Sequence, residues 1–365
     1  MNKLFLEMRT ISAVLLMFCF SSIILINSAQ SSKSSRKPVT LIQLQPSGKN
    51  YVIGTKITVA LKTKIKDGSF SKVDLLLDEK LLFTSKNIES SNIIETANLN
   101  PGTHHLKVIA TKGDGVSGEN FTDFLLLSDI TPVKYGYKVI NSFPHNPHHF
   151  TQGYEIHDVY LYESTGREGE SGIYKTDMRT WKVVKEHKLE SQYFGEGITI
   201  LNNKLYELTY KSKIGFTYDL NTFQLLKTWT FKSAEGWGFT NDSNSLIMSD
   251  GTEYLTYLDP QTLSVVKKIQ ICNNKGVVKN LNELEYIKGE IWANIWMTDN
   301  IVRIDPKTGK IVGEIDLRGL LGNNLKNQSE EVDVLNGIAF DPVKNKIYVT
   351  GKLWPKVFEI ELVKK

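Results

Sequence analysis

The chain has 365 residues, of which 41% are hydrophobic and 23% are charged, and its formal net charge is +4. This length exceeds that of one typical domain, so we expect two domains beyond any targeting segment. The net charge is too small, and the lysines too scattered, for a surface that follows a phosphate backbone, which excludes a nucleic-acid-binding function.

The N-terminal segment has the pattern of a secretory signal. Two basic residues precede an apolar run from Ile11 to Ile26, and small residues follow it. We interpret residues 1–29 as a signal peptide and residues 30–38 as a linker, which predicts an exported protein, periplasmic or extracellular, without stable membrane insertion after cleavage. An uncleaved membrane anchor is the alternative, because the run is near the lower length limit of a membrane span.

The chain has two cysteines, and cleavage of the signal would remove Cys19. Lipid attachment at Cys19 is disfavoured because Phe18 precedes it, where a small residue is required. Cys272, in the stretch VKKIQICNN, is then alone and is predicted to be a buried strand residue outside any disulfide. No Cys/His spacing is typical of a zinc site, so neither a metal nor another cofactor is predicted.

Residues 39–130 are typical of a small β-sandwich. Short segments alternate apolar and polar residues between turn sequences such as NPGTHH and KGDGVSG. The hairpin LNPGTHHLKVIATKGDG resembles the immunoglobulin-like modules of exported bacterial proteins. His104 and His105 begin a strand of this domain, and we expect both on the surface.

Residues 133–365 contain an internal repeat. Four segments end in a strand, a turn opened by Asp with Thr three residues later, and a second strand. The turn aspartates lie 42, 40 and 46 residues apart and are Asp177, Asp219, Asp259 and Asp305. Four short strands in each repeat of this length predict the blades of a β-propeller.

A fifth copy, LNGIAFDPVKNKIYVTGKLWPKVFEIELV, ends the chain, so the repeat predicts a five-bladed propeller. The early segment YGYKVINSF is predicted to supply the missing outer strand of the last blade, because closure of the ring protects its edges.

The predicted innermost strands begin with residues of different chemistry, most of which have a glycine beside them. In a propeller these positions converge on one channel mouth, and glycine allows the backbones to approach closely. The residues presented there are Gln152, Glu196, Trp237, Asn282 and Asn336. A structural ring would repeat one residue type, so this variety indicates a functional site. Glu163, in the stretch YEST, is interpreted as structural.

Seven stretches between residues 135 and 365 resemble one known family. They are HHFTQGYEI, LYESTGREGESGIY, FGEGITILNNKLYELTYK, EGWGFTNDSNSLIMSDGT, LNELEYIKGEIWANIWMTD, LNGIAFD and VTGKLWPKVFEIEL. The family is that of the plant and bacterial glutaminyl-peptide cyclotransferases, which are five-bladed propellers. The resemblance implies conversion of N-terminal glutamine to pyroglutamate with loss of ammonia, without catalytic zinc.

The resemblance also assigns site residues. Glu196 matches the catalytic carboxylate, and Lys352 and Asn282 are assigned with it as catalytic donors. The substrate-binding residues it implies are Phe150, Gln152, Phe194, Trp237 and Trp296. Tyr210, in LTYK, stands where the family usually has Trp, which keeps an aromatic wall and adds a hydroxyl.

These residue types suit an intramolecular cyclisation. One carboxylate can accept a proton from the attacking amine and deliver it to the leaving nitrogen, and an aromatic pocket would raise its pKa and hold the substrate folded. The predicted partners are peptides or proteins with N-terminal glutamine, and the protein is predicted to be a monomer. A non-catalytic extracytoplasmic propeller that binds a peptide or glycan is the alternative function.

Overall fold

The structure is a computed structural model that describes residues 34–322 and 331–365. The predicted signal segment, residues 1–29, lies outside the described residues. In the described ranges, no helix has the length and apolarity needed to cross a membrane. Regular structure there consists of β-strands and one 3-10 turn (Thr96–Asn98), so the prediction of an all-β chain is confirmed.

Eight strands make up the N-terminal part of the chain. They are β1 (Val39–Gln45), β2 (Asn50–Val52), β3 (Lys56–Lys64), β4 (Phe70–Leu77), β5 (Lys80–Ser85), β6 (Glu89–Glu95), β7 (Gly102–Lys112) and β8 (Ser117–Leu127). They form one sheet of order β1-β3-β6 and a second of order β2-β8-β7-β4-β5. Alternate residues of these strands, such as Val59, Leu75, Val108 and Phe124, form a common core that buries one face of each sheet.

The two histidines at the start of β7 have different environments. His105 is exposed, as expected, but His104 is only 8% exposed, so the surface prediction for His104 is wrong. Its ring stacks on Phe124 at 5.2 Å, and its Nδ1 lies 2.7 Å from a carboxylate oxygen of Asp78. Strand alternation places neighbours on opposite faces of a sheet, so adjacent histidines could not both be exposed.

The remaining strands form five antiparallel four-stranded units. They are β9 (Val133–Pro144), β10 (Thr151–His157), β11 (Tyr160–Thr165), β12 (Gly172–Asp177), β13 (Lys182–Lys188), β14 (Gly195–Leu201), β15 (Lys204–Thr209), β16 (Ile214–Asp219), β17 (Leu225–Thr230), β18 (Phe239–Asn241), β19 (Leu246–Met248), β20 (Tyr254–Leu258), β21 (Val265–Gln270), β22 (Leu281–Ile287), β23 (Glu290–Ile295), β24 (Asn300–Ile304), β25 (Ile311–Asp316), β26 (Leu335–Asp341), β27 (Lys346–Gly351) and β28 (Lys356–Lys364). The units are β10–β13, β14–β17, β18–β21, β22–β25 and β26–β28 with β9.

The first strands of the five units surround a common axis. β10 contacts β14, and the contacts continue through β18, β22 and β26 back to β10, so the ring is closed. Glycines make this approach possible at two crowded positions. A Cβ on Gly238 would lie 1.9 Å from the Asn282 carbonyl oxygen, and one on Gly153 would lie 2.4 Å from the Ile198 nitrogen.

Strand β9 completes the last unit of the ring and joins it to the fourth unit. It pairs antiparallel with β28 from Pro144 to Tyr135, which confirms its prediction as the outer strand beside the last repeat. The start of β9 also pairs in parallel with β25, where Val133 lies opposite Gly313. This second pairing joins two units into one eight-stranded sheet.

The Asp-x-x-Thr turns hold the third and fourth strands of a unit together. In the second unit, Asp219 Oδ1 accepts hydrogen bonds from the backbone N–H groups of Asn221 and Thr222 and from the Thr222 hydroxyl. Asp259 makes the same set with Gln261 and Thr262. These bonds lower the pKa of both carboxyls, with Thr222 and Thr262 the largest causes. The repeated sequence signal is therefore an Asx turn.

The N-terminal sheets contact the ring near the third and fourth units. The Thr103 N–H donates to Gln270 Oε1 at 2.7 Å, and Lys310 Nζ donates to Asp129 Oδ1 at 2.7 Å. Cys272 lies at this contact and is fully buried, with its Sγ 3.9 Å from the Leu126 carbonyl oxygen. Its predicted burial is confirmed.

Candidate active site

All nine predicted site residues line one cavity of about 230 Å³ at one end of the ring. They are Phe150, Gln152, Phe194, Glu196, Tyr210, Trp237, Asn282, Trp296 and Lys352. The cavity forms where the first strands of the units begin, so residues distant in sequence meet there. Met297 and Asp333 also line it, and sequence analysis missed both.

Glu196 lies on β14 at the buried floor of the cavity. Its side chain is 4% exposed, and Gln152 Nε2 donates a hydrogen bond to its Oε1 at 3.2 Å. Burial raises the pKa of Glu196 well above its ordinary value, and the charge of Lys352 offsets only part of this effect. Glu235 raises the pKa further. Burial therefore favours the protonated form of Glu196 over its carboxylate.

Lys352 follows β27 and brings an amine to the same floor. It is 5% exposed, and its Nζ lies 4.6 Å from the centre of the Phe150 ring. Burial lowers the pKa of Lys352, while the carboxyl groups of Glu196 and Asp333 act in the opposite direction. The ring of Phe150 partly replaces the hydration of the ammonium through a cation–π contact.

Aromatic side chains form the walls of the cavity. The ring of Phe194 packs edge-on against Phe150 at 6.2 Å and lies tilted against Tyr210 at 5.6 Å. Trp237 and Trp296, which also line the cavity, form a T-shaped pair at 5.5 Å. Trp296 is 39% exposed and lies at the rim of the cavity. The side chains of the cavity are therefore buried at its floor and exposed to solvent at its mouth.

The ring positions supply amides as well as the carboxyl. Asn282 is 3% exposed and lines the cavity, and within the described ranges its Oδ1 has no hydrogen-bond partner. Asn336 does not line the cavity. Its Nδ2 donates to the Thr151 carbonyl oxygen at 2.9 Å and to Gln152 Oε1 at 3.4 Å, so it orients Gln152 from behind.

Asp333 lies at the cavity because its backbone is hydrogen-bonded to that of Lys352. The Asp333 N–H donates to the Lys352 carbonyl oxygen at 3.1 Å, and the Lys352 N–H donates to the Val334 carbonyl oxygen at 2.9 Å. Asp333 stands directly before the glycine-framed stretch VLNGIA. Its position before a predicted inner strand was a signal that could have identified it, whereas nothing in the stretch IWMTD marks Met297.

One group of side chains in the described part of the chain has the composition of a metal site. His145, His149 and Glu163 have ligand atoms within 4.8 Å of one another, and they border a separate cavity of about 260 Å³. None of them lines the cavity that contains Glu196. The absence of a catalytic metal remains a prediction from sequence.

The ring of antiparallel sheets brings a buried carboxyl, two amides and a lysine into one aromatic pocket. This arrangement is typical of a propeller-like enzyme that acts on a small group. The glutamine cyclotransferase family matches residues 117–362 of the chain. The chain therefore belongs to the glutamine cyclotransferase family, as the seven sequence stretches predicted.

Two characterised proteins are similar to this chain. The glutaminyl-peptide cyclotransferase of Arabidopsis thaliana is 45% identical over 227 residues, which are 62% of this chain and 71% of the relative. The crystal structure of Myxococcus xanthus glutaminyl cyclase aligns with a TM-score of 0.60 and 33% identity, and it covers 64% of this chain and 100% of that protein. The family match, over residues 117–362, includes the strands from β9 to β27 and most of β28, which form the ring that carries the cavity.

The wall residue Trp237 provides a test of substrate binding. We expect Trp237→Phe to raise KM about three- to tenfold with a smaller change in kcat, because it removes roughly 1 kcal/mol of aromatic contact. Steady-state kinetics on a glutaminyl dipeptide measure both constants. Trp229→Phe is the matched control, since Trp229 is buried against Phe231 and Phe239 away from the cavity. An unchanged KM in Trp237→Phe would contradict the assignment.

Proposed function

We propose that this protein is a glutaminyl-peptide cyclotransferase, which converts the N-terminal glutamine of peptides to pyroglutamate and releases ammonia. The observation that carries the proposal is the buried carboxyl of Glu196 at the floor of an aromatic pocket, where burial raises its pKa. Family membership supports the same activity. A pocket that only bound a peptide or glycan would not require a buried carboxyl with a raised pKa.

Glu196 has the properties required to transfer a proton in both directions. The neutral α-amine of the substrate attacks the side-chain amide carbon, and the new C–N bond leaves an extra proton on the attacking nitrogen. One oxygen of the Glu196 carboxyl group accepts that proton while the other delivers one to the leaving nitrogen. The old C–N bond then breaks, ammonia leaves, and the carboxyl group ends in its starting protonation state.

Three polar groups can stabilise the oxygen that becomes negative during the attack. Lys352, Asn282 and Gln152 are each buried and line the cavity. We assign them to the oxyanion or to the first peptide carbonyl of the substrate, where donors are worth most because water is excluded. The unpartnered Oδ1 of Asn282 is available to accept from the substrate amine.

The aromatic walls favour cyclisation over hydrolysis. They surround the folded glutamine side chain, so the amine is held near the amide carbon before reaction. They also keep bulk water from the tetrahedral intermediate. Tyr210 contributes one such wall, and its hydroxyl is available to contact the peptide beyond the glutamine.

We extend the proposal to the whole chain. The five four-stranded units support a five-bladed propeller over residues 133–365, and the two packed N-terminal sheets support an immunoglobulin-like domain over residues 39–130. The apolar run near the N-terminus supports export, with residues 1–29 as the signal and 30–38 as the linker. The protein is proposed to act as a monomer on peptides outside the cytoplasm.

Ammonia release tests the proposed activity. Purified protein incubated with a glutaminyl dipeptide should release one ammonia for each pyroglutamyl dipeptide formed. An asparaginyl dipeptide is the matched control, because its shorter side chain would close a strained four-membered ring. Binding of the glutaminyl dipeptide without ammonia would instead support the binding-protein alternative and refute the proposal.

A further inference from the structure

Behind the wall of the cavity lies a buried cluster of hydrogen-bonded side chains centred on Glu163. The carboxyl group of Glu163, on β11, is 5% exposed. Its Oε1 accepts from the Thr151 hydroxyl at 2.7 Å and lies 3.0 Å from His145 Nε2, while its Oε2 lies 2.8 Å from His149 Nδ1. All three partners come from the short segment that leads into β10 and begins it.

The contacts of His145 define its charge. Its Nε2 faces the Glu163 carboxyl group, and its Nδ1 lies 2.6 Å from the carbonyl oxygen of Trp354. Both partners are acceptors, so both ring nitrogens carry hydrogen and the ring is an imidazolium. Burial opposes this charge, but the carboxylate of Glu163 raises the pKa of His145 above its ordinary value.

Glu163 is correspondingly ionised. Burial alone would raise its pKa, but the charges of His149 and His145 and their hydrogen bonds hold the pKa of Glu163 well below its usual range. A hydrogen-bonded pair of opposite charges in a low-dielectric interior is strongly coupled, and removal of one partner leaves the other uncompensated.

The cluster is joined to the wall of the cavity by backbone hydrogen bonds. The His145 N–H donates to the Pro355 carbonyl oxygen at 3.0 Å, and the Leu353 N–H donates to the His149 carbonyl oxygen at 2.8 Å. These bonds fix the turn that follows Lys352. Leu353 has a φ of +61°, a conformation that a leucine adopts only when its surroundings impose it.

The same segment carries two other residues of the cavity. Phe150 and Gln152 flank Thr151, whose hydroxyl is bound to Glu163. Phe150 contacts Lys352 Nζ, and Gln152 donates to Glu196. One buried carboxylate thus connects the β10 side of the cavity to the turn that carries Lys352.

We propose that Glu163 forms a positioning cluster with His145, His149 and Thr151. This cluster holds Phe150, Gln152 and Lys352 in their positions around Glu196. The inference rests on the proposed cyclotransferase activity and adds residues that do not touch the substrate. The proposal also predicts that the cluster weakens at alkaline pH. When His145 loses a proton, its ring keeps only one of the two N–H donors that connect Glu163 on β11 to the carbonyl oxygen of Trp354.

The second unit of the ring contains a matched control. Glu207, in LYELT on β15, occupies the place that Glu163, in LYEST, occupies on β11. Glu207 is fully buried, but its carboxyl group accepts from the Tyr218 hydroxyl at 3.2 Å and has no histidine partner in the described part of the chain. Burial raises the pKa of Glu207 to about 8, so this carboxyl is uncharged near neutral pH.

The test compares Glu163→Gln with Glu207→Gln. We expect Glu163→Gln to lower kcat on a glutaminyl dipeptide about tenfold, because the hydrogen-bond donors around Glu196 are no longer held in their positions. The alkaline fall in kcat should also move to lower pH by roughly one to three units, the shift expected when a neighbouring opposite charge is removed. Glu207→Gln should retain the wild-type kcat and the wild-type alkaline limb.

The titratable groups that face His145 determine which residue can cause this pH shift. They are Glu163 on β11, His149 on the same segment and Tyr154 on β10, whose ring lies edge-on at 6.4 Å. Trp181 and Val357, which line the adjoining cavity, do not titrate. Burial raises the pKa of Tyr154 well above its ordinary value, so Tyr154 stays neutral across the range measured.

Thr151→Val covers the case in which Glu163→Gln does not fold. It removes one donor to Glu163 and keeps the shape of the side chain, so kcat should fall about two- to fivefold, as for the loss of one net hydrogen bond. Wild-type kinetics in Thr151→Val, or in a folded Glu163→Gln, would overturn the positioning proposal. So would loss of wild-type turnover on chelation with recovery on zinc, which would make the cluster a metal site. An inactive wild-type protein would instead refute the proposed function.

Discussion

Glu196→Gln should lower kcat on a glutaminyl dipeptide by about 10²- to 10⁴-fold, the usual contribution of a positioned proton-transfer group. The amide retains the size of the side chain and an oxygen that accepts from Gln152. It cannot accept a proton from the attacking amine and return one to the leaving nitrogen. The chemical step should therefore slow while KM changes little.

The fold should tolerate this substitution. Since burial raises the pKa of Glu196 and so disfavours its charged form, the neutral amide should fit the same site without loss of a stabilising charge. We expect the melting temperature of Glu196→Gln to match that of the wild type near neutral pH, and ammonia release gives the rate. Near wild-type turnover in the variant would refute the proton-transfer role even if the protein is a cyclotransferase.

The second large effect concerns stability as a function of pH. Burial raises the pKa of several carboxyls inside the ring above the ordinary value of 4.5, and for Glu207 it reaches about 8. The others are Glu155, Glu196, Glu283 and Glu285. Each binds a proton more tightly in the folded state than in the unfolded state. For Glu207, the stabilisation is therefore complete below pH 4.5 and is lost as the pH rises through about 8, and the other carboxyls act in the same direction.

The melting temperature should accordingly fall by roughly 5 °C or more between about pH 5 and pH 9. One pKa unit corresponds to about 1.4 kcal/mol, and 1 kcal/mol moves the melting temperature of a domain of this size by about 2–4 °C. The raised pKa values of His104 and His145 act in the same direction. Scanning calorimetry across this pH range measures the effect.

Glu207→Gln is the informative variant for this prediction. Its amide never ionises, so the decline in melting temperature toward alkaline pH should be shallower than in the wild type. A melting temperature that is constant or increases from pH 5 to pH 9 in the wild type would show that these carboxyls are ionised in the folded protein.

The residues of the cavity were predictable because each stands in a recognisable stretch at the start of an inner strand or at a strand end. Glu196 stands between two glycines, Gln152 directly precedes a glycine, and Lys352 lies in VTGKLWP. The structure places all nine predicted residues around one cavity. Sequence placed Asn336 in the same ring but could not show that its amide turns away to support Gln152.

What sequence could not provide was long-range pairing of side chains and strands. Glu163 was interpreted as structural, and neither its two histidine partners nor their connection to the turn after Lys352 follows from local pattern. The parallel pairing of β9 with β25 was not predicted for the same reason, because Val133 and Gly313 are far apart in the chain. Alternation along β7 implies that only one of His104 and His105 is exposed, but which of the two is buried depends on long-range packing, here of His104 against Phe124.

The central claim is that burial keeps Glu196 as a carboxylic acid that can transfer a proton. Infrared difference spectroscopy between the wild type and Glu196→Gln measures this directly at neutral pH. The account predicts a protonated-carboxyl C=O band that is present in the wild type and absent from the variant, and that persists well above the ordinary carboxyl pKa. A difference spectrum that contains only carboxylate bands at neutral pH would contradict it.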